Sequence, residues 1–289
     1  MVHAVKAQSA MEYLMTYGWA ILIIAIALAA LYALGVFNPN TFSPRAQPGS
    51  CSVYRPYGPG TTQFISTEGV CTGEEPKYVA RFNGVNSYIS VSSAASLNPT
   101  GAVTYTAWVY ATTSGVNQII LDKNWGNAGG EQILLRANGI VSVNAGTNGA
   151  DAESTSPLPI DHWVFVVGIA SASGVSVYFN STNEGSTSTA PTLASNPLAL
   201  GIGGGDGGSA AVFNGYLANV QIYNTALSQP EIQAIYQEGI GGAPIKLQNL
   251  VGWWPLNSNA NDYSGDGNNG QATDNIVYVS NWGSGYTPP

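Results

Sequence analysis

The hydrophobic pattern divides this chain in two. From Gln8 to Phe37 it reads QSAMEYLMTYGWAILIIAIALAALYALGVF, with no charged side chain between Glu12 and Arg45. Trp19 to Leu34 is apolar on every side of a helix, and a helix without a polar face belongs in lipid or among other helices. A helix from Met11 to Phe37 would be about 40 Å long, enough to cross a bilayer with some tilt. Asn38-Pro39 ends it, because proline pushes the residue before it out of the helical region. From Tyr78 the period falls to that of strands. Runs rich in Val, Ile, Tyr and Thr, set off by Gly, Asn and Ser turns, predict strands at 78–83, 88–91, 103–111, 118–122, 132–136, 140–144, 162–170, 175–180, 198–202 and 213–223. Strands without intervening helices predict a sandwich rather than a parallel sheet. One helix is predicted at Ser228–Glu238, with Ser228 and Glu231 as a capping box and Pro230 in the first turn.

Between these regions, residues 38–77 read as an irregular stalk and small collar, interrupted by Pro39, Pro44, Pro48, Pro56, Pro59 and Pro76. The chain's two cysteines, Cys51 and Cys71, both fall here. In a segment expected outside the cell they are expected to pair. By the chain-entropy argument such a bond would add about 3 kcal/mol.

Composition narrows the function. Net charge is −8, which argues against nucleic acid or anionic lipid as partner. Only 8% of the residues are charged, so the polar surface is built from Ser, Thr, Asn, Gln and Gly, as in extracellular all-β modules. Asn-Gly pairs begin at Asn83, Asn138, Asn148, Asn214 and Asn269. They suit hairpin turns but are heat-labile, which argues against a hyperthermophilic source.

The string Lys6-Ala7-Gln8-Ser9-Ala10-Met11-Glu12-Tyr13-Leu14 resembles the class III signal peptide of archaeal type IV pilins and archaellins. The resemblance implies cleavage between Ala7 and Gln8, with residues 1–7 as leader and 8–37 kept as the helix. It implies that Glu12 pairs with the free amine of a neighbouring subunit and sets the register of a homopolymer. A lone carboxylate at the end of an apolar helix seeks a cation in any case. From the residues alone, Glu12 can equally be an interfacial charge, and the helix a membrane anchor with its N-terminus inside, as Lys6 favours. Either way the precursor is membrane-inserted and the remainder of the chain lies outside the cell.

A second resemblance covers most of the β region. Ala80-Arg81-Phe82-Asn83-Gly84, Ala107-Trp108-Val109, Leu121-Asp122-Lys123, His162-Trp163, Val177-Tyr178-Phe179-Asn180 and the run from Phe213 to Ser228 resemble a laminin-G-like, concanavalin-like jelly roll. That family usually has Asp where this chain has Asn219, so a charge-dependent role there is in doubt. Its opening strand and Gly-rich loop do not precede Tyr78. They stand at the far end, as Val251-Gly252-Trp253-Trp254 and Asn261-Asp262-Tyr263-Ser264-Gly265-Asp266-Gly267-Asn268. The expected fold is therefore mostly β: the long N-terminal helix, then a circularly permuted jelly roll over 78–289 whose first strand comes from 249–283. A sandwich lacking that strand would expose an edge, so Leu250–Leu256 must fill it, in its own chain or a neighbour's.

Several sites follow as expectations. Asp262, Asp266 and Asn268 are oxygen donors in a Gly-rich loop, suited to a structural Ca²⁺, or simply turn formers. Asn124, Trp125 and Asn127 form a probable exposed loop suited to a glycan, the family's common ligand; Trp125 covering a sandwich edge is the other reading. Asn180-Ser181-Thr182 is a glycosylation sequon at a hairpin tip. Catalysis has no support: the paired carboxylates of a glycoside hydrolase are absent as a string, and His162 has no nucleophile partner suggested by the sequence. The expected reading is a filament subunit whose helices form a core and whose jelly rolls form an adhesive sheath, a candidate for glycan binding. The alternative is a membrane-anchored glycan-binding protein that does not polymerise.

Overall fold

The computed structural model describes residues 3–33, 50–71, 75–123, 129–205, 210–273 and 275–289. The chain forms two units, divided after Ala46, and each is described by itself. The first holds helix α1 (His3–Ala33), whose backbone runs without a break through Ala7 and Gln8. Its side chains are described from Met15 to Leu31, and all of them are exposed, Trp19 at 64% and Ile21 at 65%. Among the described residues no helix is long and apolar enough to cross a membrane; the described side chains fall short of the roughly 20 apolar residues a crossing takes. The Glu12 side chain and the predicted helix end at Phe37 lie outside the described residues.

Among the described residues the second unit is all β but for one helix and a 3₁₀ turn at Ala95–Leu97. In chain order its elements are β1 (Ser52–Tyr54), β2 (Ser66–Glu68), β3 (Val79–Asn83), β4 (Ile89–Val91), β5 (Val103–Ala111), β6 (Gln118–Lys123), β7 (Gly129–Leu135), β8 (Ile140–Gly146), β9 (Ala150–Pro157), β10 (Trp163–Ser171), β11 (Gly174–Phe179), β12 (Thr182–Thr187), β13 (Leu200–Ile202), β14 (Asn214–Tyr223), α2 (Gln229–Gln237), β15 (Leu250–Trp254), β16 (Gly270–Ala272) and β17 (Val277–Val279). Two antiparallel sheets face each other. One runs β12-β11-β10-β5-β14-β3-β17, and the other β16-β4-β13-β6-β7-β8-β9. The capping box at Ser228 and Glu231 starts α2 as the sequence implied. β9 and β12 are strands the pattern did not predict.

The two sheets enclose a core of Phe82, Ile89, Leu121, Ile133, Val143, Val166, Ile202, Phe213 and Trp254. The first sheet is also covered on its other face. There Trp108, Phe165, Val167 and Tyr223 meet Ile232 and Ile235 of α2, and Cys51, Val53 and Trp282 join the same cluster. Burial on both faces explains why β5 and β10 are near-continuous apolar runs instead of alternating ones.

The C-terminal segment returns to the sandwich, and β15 pairs antiparallel with β14 from Val220 to Tyr223. β3 pairs with the other half of the same edge, from Asn214 to Leu217. Two strands thus share one flank of β14 end to end. Asn219 sits at their junction with φ 48°, where the register of β14 against β5 also shifts. The strand demanded by the open edge is in place.

The expected stalk and collar of 38–77 divides otherwise. The Cys51–Cys71 disulfide is formed, with Cα atoms 4.7 Å apart, and β1 pairs with β2. Its described residues, 50–71 and 75–77, fall within the sandwich unit. Val53 N donates to Tyr263 O at 2.8 Å. Arg55, only 7% exposed, pairs with Asp266 at 3.1 Å and donates to the carbonyls of Ser264 and Leu250.

Candidate functional site

A groove runs along the start of β10. One lobe, of about 260 Å³, is lined by Trp108, His162, Trp163, Asn180, Tyr236 and the C-terminal residues Gly285, Thr287 and Pro288. The adjoining lobe, of about 300 Å³, is lined by Ser156, Thr182 and Glu184 among others and shares Pro159, Val164 and Asn180 with the first. Asn180 therefore stands where the lobes meet.

The strands place each of these groups. Phe179 and Thr182 are paired across the β11–β12 hairpin, leaving Asn180 (φ 47°) and Ser181 (φ 68°) as its two turn residues. Both φ values are positive, as a type I′ turn requires. Asn180 then extends the ladder of β10: its backbone N donates to Phe165 O, and its Oδ1 accepts from Phe165 N, both at 2.9 Å. Among the described residues its Nδ2 has no hydrogen-bond partner. Trp163 N donates to Gly285 O at 2.9 Å, and Trp163 Nε1 to Trp282 O at 3.0 Å, which ties the C-terminal tail to the groove wall. The Tyr236 ring stacks on Trp108 at 5.7 Å. Trp108 is 1% exposed, and its Nε1 is buried without a hydrogen-bond partner among the described residues. His162 Nδ1 lies 2.9 Å from Ile160 O. A carbonyl only accepts, so Nδ1 carries the hydrogen, and Nε2 of the neutral ring is an acceptor.

The first lobe thus combines aromatic walls with one exposed donor, Asn180 Nδ2, and one acceptor, His162 Nε2, while Trp108 Nε1 is sealed beneath the surface. The second adds hydroxyls and a carboxylate. Apolar walls with a few polar groups are the form of a small-molecule site, and aromatic faces with adjacent donor and acceptor groups suit a sugar ring.

A second polar cluster lies inside the sandwich. Tyr105 OH donates to Glu131 Oε2, and Glu131 is directly opposite Lys123 across β6 and β7. Lys123 Nζ donates to Ser93 Oγ at 3.1 Å, to Asn196 Oδ1 at 3.3 Å and to Leu198 O. Burial pushes the Glu131 carboxyl up to about 7, against the opposing pull of Tyr105 and Lys123. Burial also lowers the Lys123 ammonium and raises the Tyr105 phenol well above its ordinary range. Glu131 is 4% exposed and Tyr105 5%, so the pair has no open face toward a substrate. Sequence reading missed this cluster; a Lys and a Glu flanking one hairpin, in a chain with so few charges, was the available signal.

The sequence-derived candidates fare differently. Asn124, Trp125 and Asn127 lie outside the described residues. The Gly-rich loop expected to suit calcium braces the chain through its own hydrogen bonds. Asp262 Oδ1 accepts from Trp253 N and Ser264 N, and its Oδ2 from Ser264 Oγ and Asn268 N, all at 2.8–2.9 Å. A carboxylate has about four lone-pair positions, and Asp262 uses them on its own chain. Asp266 Oδ1 accepts from Gly60 N at 2.8 Å and Arg55 Nε at 3.1 Å. Asn268 donates to Val251 O and Ser96 Oγ. Among the described residues, His, Cys, Asp and Glu side chains nowhere gather in threes as a metal would need.

Asn219 proves to be an amide hub. Its Nδ2 donates to Gly242 O at 2.9 Å, while Oδ1 accepts from Trp253 Nε1 at 2.7 Å and Gln221 Nε2 at 3.0 Å. The donor role needs Asn rather than Asp. Asn180 is at the exposed hairpin tip expected of it.

No curated protein matches the sequence. Among solved structures, the chain resembles a candidate carbohydrate binding protein from Bacteroides ovatus, with 16% identity and a TM-score of 0.58 over 75% of this chain; it spans 63% of that protein's length. It also resembles the heptameric SAP-like pentraxin of Limulus polyphemus, with 13% identity, a TM-score of 0.49, 72% of this chain and 97% of the pentraxin. The carbohydrate-binding module of the Ruminococcus gnavus IT-sialidase matches at 14% identity and a TM-score of 0.45, over 56% of this chain and 99% of the module. These likenesses concern the fold. Residues 83–233, a little over half of the sequence, match the laminin-G-type profile described as the concanavalin A-like lectin/glucanases superfamily. With the two facing sheets and the returned C-terminal strand, that match assigns the chain: it belongs to the concanavalin A-like lectin/glucanases superfamily.

Proposed function

We propose that this protein is an extracellular saccharide-binding module whose ligand lies in the groove between His162, Tyr236 and Asn180. The observation that carries this reading is the juxtaposition of aromatic walls with the exposed Asn180 carboxamide and His162 ring in one cleft. The disulfide marks the protein as extracellular or secreted, and the Bacteroides ovatus relative's description agrees with the reading. Glu184 in the second lobe would repel an acidic sugar, so the preferred ligand is a neutral oligosaccharide spanning both lobes. On this reading the groove binds without catalysis: Glu184 is the one carboxylate among its lining residues, and glycosidic cleavage takes two. A screen of immobilised neutral and acidic glycans tests this. Binding to a neutral glycan, weakened by His162→Ala and by Tyr236→Ala on the order of tenfold, is expected. Binding left unchanged by both substitutions refutes the site.

We further propose that α1 makes the protein a filament subunit. The described face of α1, Met15 to Leu31, is apolar and exposed all round in the lone chain, and copies of the same helix would cover it. On the pilin resemblance, the membrane-inserted precursor is cut between Ala7 and Gln8, Glu12 pairs with the neighbour's new amine, and the β units face outward. N-terminal sequencing of surface fibres tests this. Mature chains beginning at Gln8 support it; monodisperse single chains with Met1 retained refute it.

A further inference from the structure

We infer that Asn180 is a glycan attachment site and that the attached glycan lies over the groove, so that modification closes the saccharide site. Attachment and ligand binding would then be alternative uses of the same cleft.

The geometry supplies each requirement. Asn180-Ser181-Thr182 is a complete acceptor sequon. It occupies the tip of the β11–β12 hairpin, and Asn180 is exposed. The carboxamide is held by its oxygen alone, through Phe165 N at 2.9 Å. This bond fixes the plane of the amide and leaves Nδ2, the atom that must react, without a partner among the described residues. Glycosyl transfer from a lipid-linked sugar phosphate forms the Nδ2–C1 bond as the C1–O bond to phosphate breaks. Nδ2 gives up one proton, and the phosphate leaves with the bonding electron pair. Oδ1 takes no part, so its bond to Phe165 survives, and the same bond keeps the carboxamide at the boundary of the two lobes. A sugar joined there starts its path beside His162 and Tyr236 on one side and Thr182 and Glu184 on the other. Both lobes together are of the size that a small ligand fills.

Displacement of a soluble ligand rests on the saccharide reading of the groove; attachment and coverage do not. Native full-length protein from the cells that make it is compared with protein made in a host lacking the transferase. Glycopeptide mass analysis reads Asn180. The rate of carbethoxylation by diethyl pyrocarbonate reads His162, an exposed groove residue. The expected result is added glycan mass on the native Asn180 peptide and a His162 rate clearly lower than in the unmodified protein. A native Asn180 peptide of unmodified mass overturns attachment. A modified peptide with an unchanged His162 rate overturns coverage. If unmodified protein binds no glycan, the proposed function fails while both of these readings still decide.

Discussion

Glu131 makes the fold's stability depend on pH in an unusual direction. Its carboxyl is raised from 4.5 to about 7, chiefly by burial. The folded state therefore holds this proton more tightly than the unfolded chain does. The resulting stabilisation is complete below pH 4.5, declines as pH rises, and is gone once pH passes the folded value near 7. At 1.36 kcal/mol per pKa unit, ionising Glu131 in place costs about 3 kcal/mol. Lys123, lowered by burial, has the opposite sign: its contribution is present at high pH and lost as pH falls through its folded value. Glu131→Gln separates the two, because Gln keeps an oxygen to accept from Tyr105 OH but has no proton to lose. Urea unfolding followed by tryptophan fluorescence at pH 5, 6, 7 and 8 measures the difference. The wild type should lose about 2.5 kcal/mol relative to the variant between pH 5 and pH 8, with similar m-values. Parallel pH profiles for the two proteins, or a wild type that gains on the variant as pH rises, would refute the placement of Glu131 in the core.

Asn219→Asp should destabilise the unit by about 2 kcal/mol at pH 7, since an oxygen then faces Gly242 O where Nδ2 now donates; urea unfolding should show recovery in acid, when the protonated carboxyl can donate. Arg55→Met strands Asp266 in a buried site and should cost about 3–5 kcal/mol, with faster amide exchange across 50–71; unchanged exchange there would show that the brace does not hold the collar. Ser181→Gly relieves a positive φ of 68° and should add about 0.5 kcal/mol while keeping the sequon; a lower thermal midpoint would count against the turn geometry.

What could be read from the residues followed their chemistry closely. β5 and β10 announced themselves because Val103–Ala111 and Trp163–Ser171 carry large apolar side chains on both faces. β9 was invisible because its inward positions are Ala150, Ala152 and Ser154, too small and polar to mark a period. β12 is an edge strand with no buried position, and nothing in Thr182–Thr187 needs a core. The capping box at Ser228 was legible because it is local. The bonds of the Gly-rich loop at 261–268 were legible only in part: Asp262 is held by near neighbours, whereas the partners of Asp266, Gly60 and Arg55, stand far away in sequence.

The sequence alone determined the division into an apolar helix and a β unit, the superfamily resemblance, the cysteine pair and the need for a strand from the C-terminus. Periodicity, local capping and the cost of an open sheet edge act over short stretches or on composition, and these can be read in order along the chain. The groove, the Tyr105–Glu131–Lys123 cluster, the Asn219 hub and the Arg55 brace were decided only by tertiary structure. Each joins groups from strands far apart in the chain, and burial then changes what those groups do, raising an ordinary glutamate and leaving a tryptophan donor without a partner among the described residues.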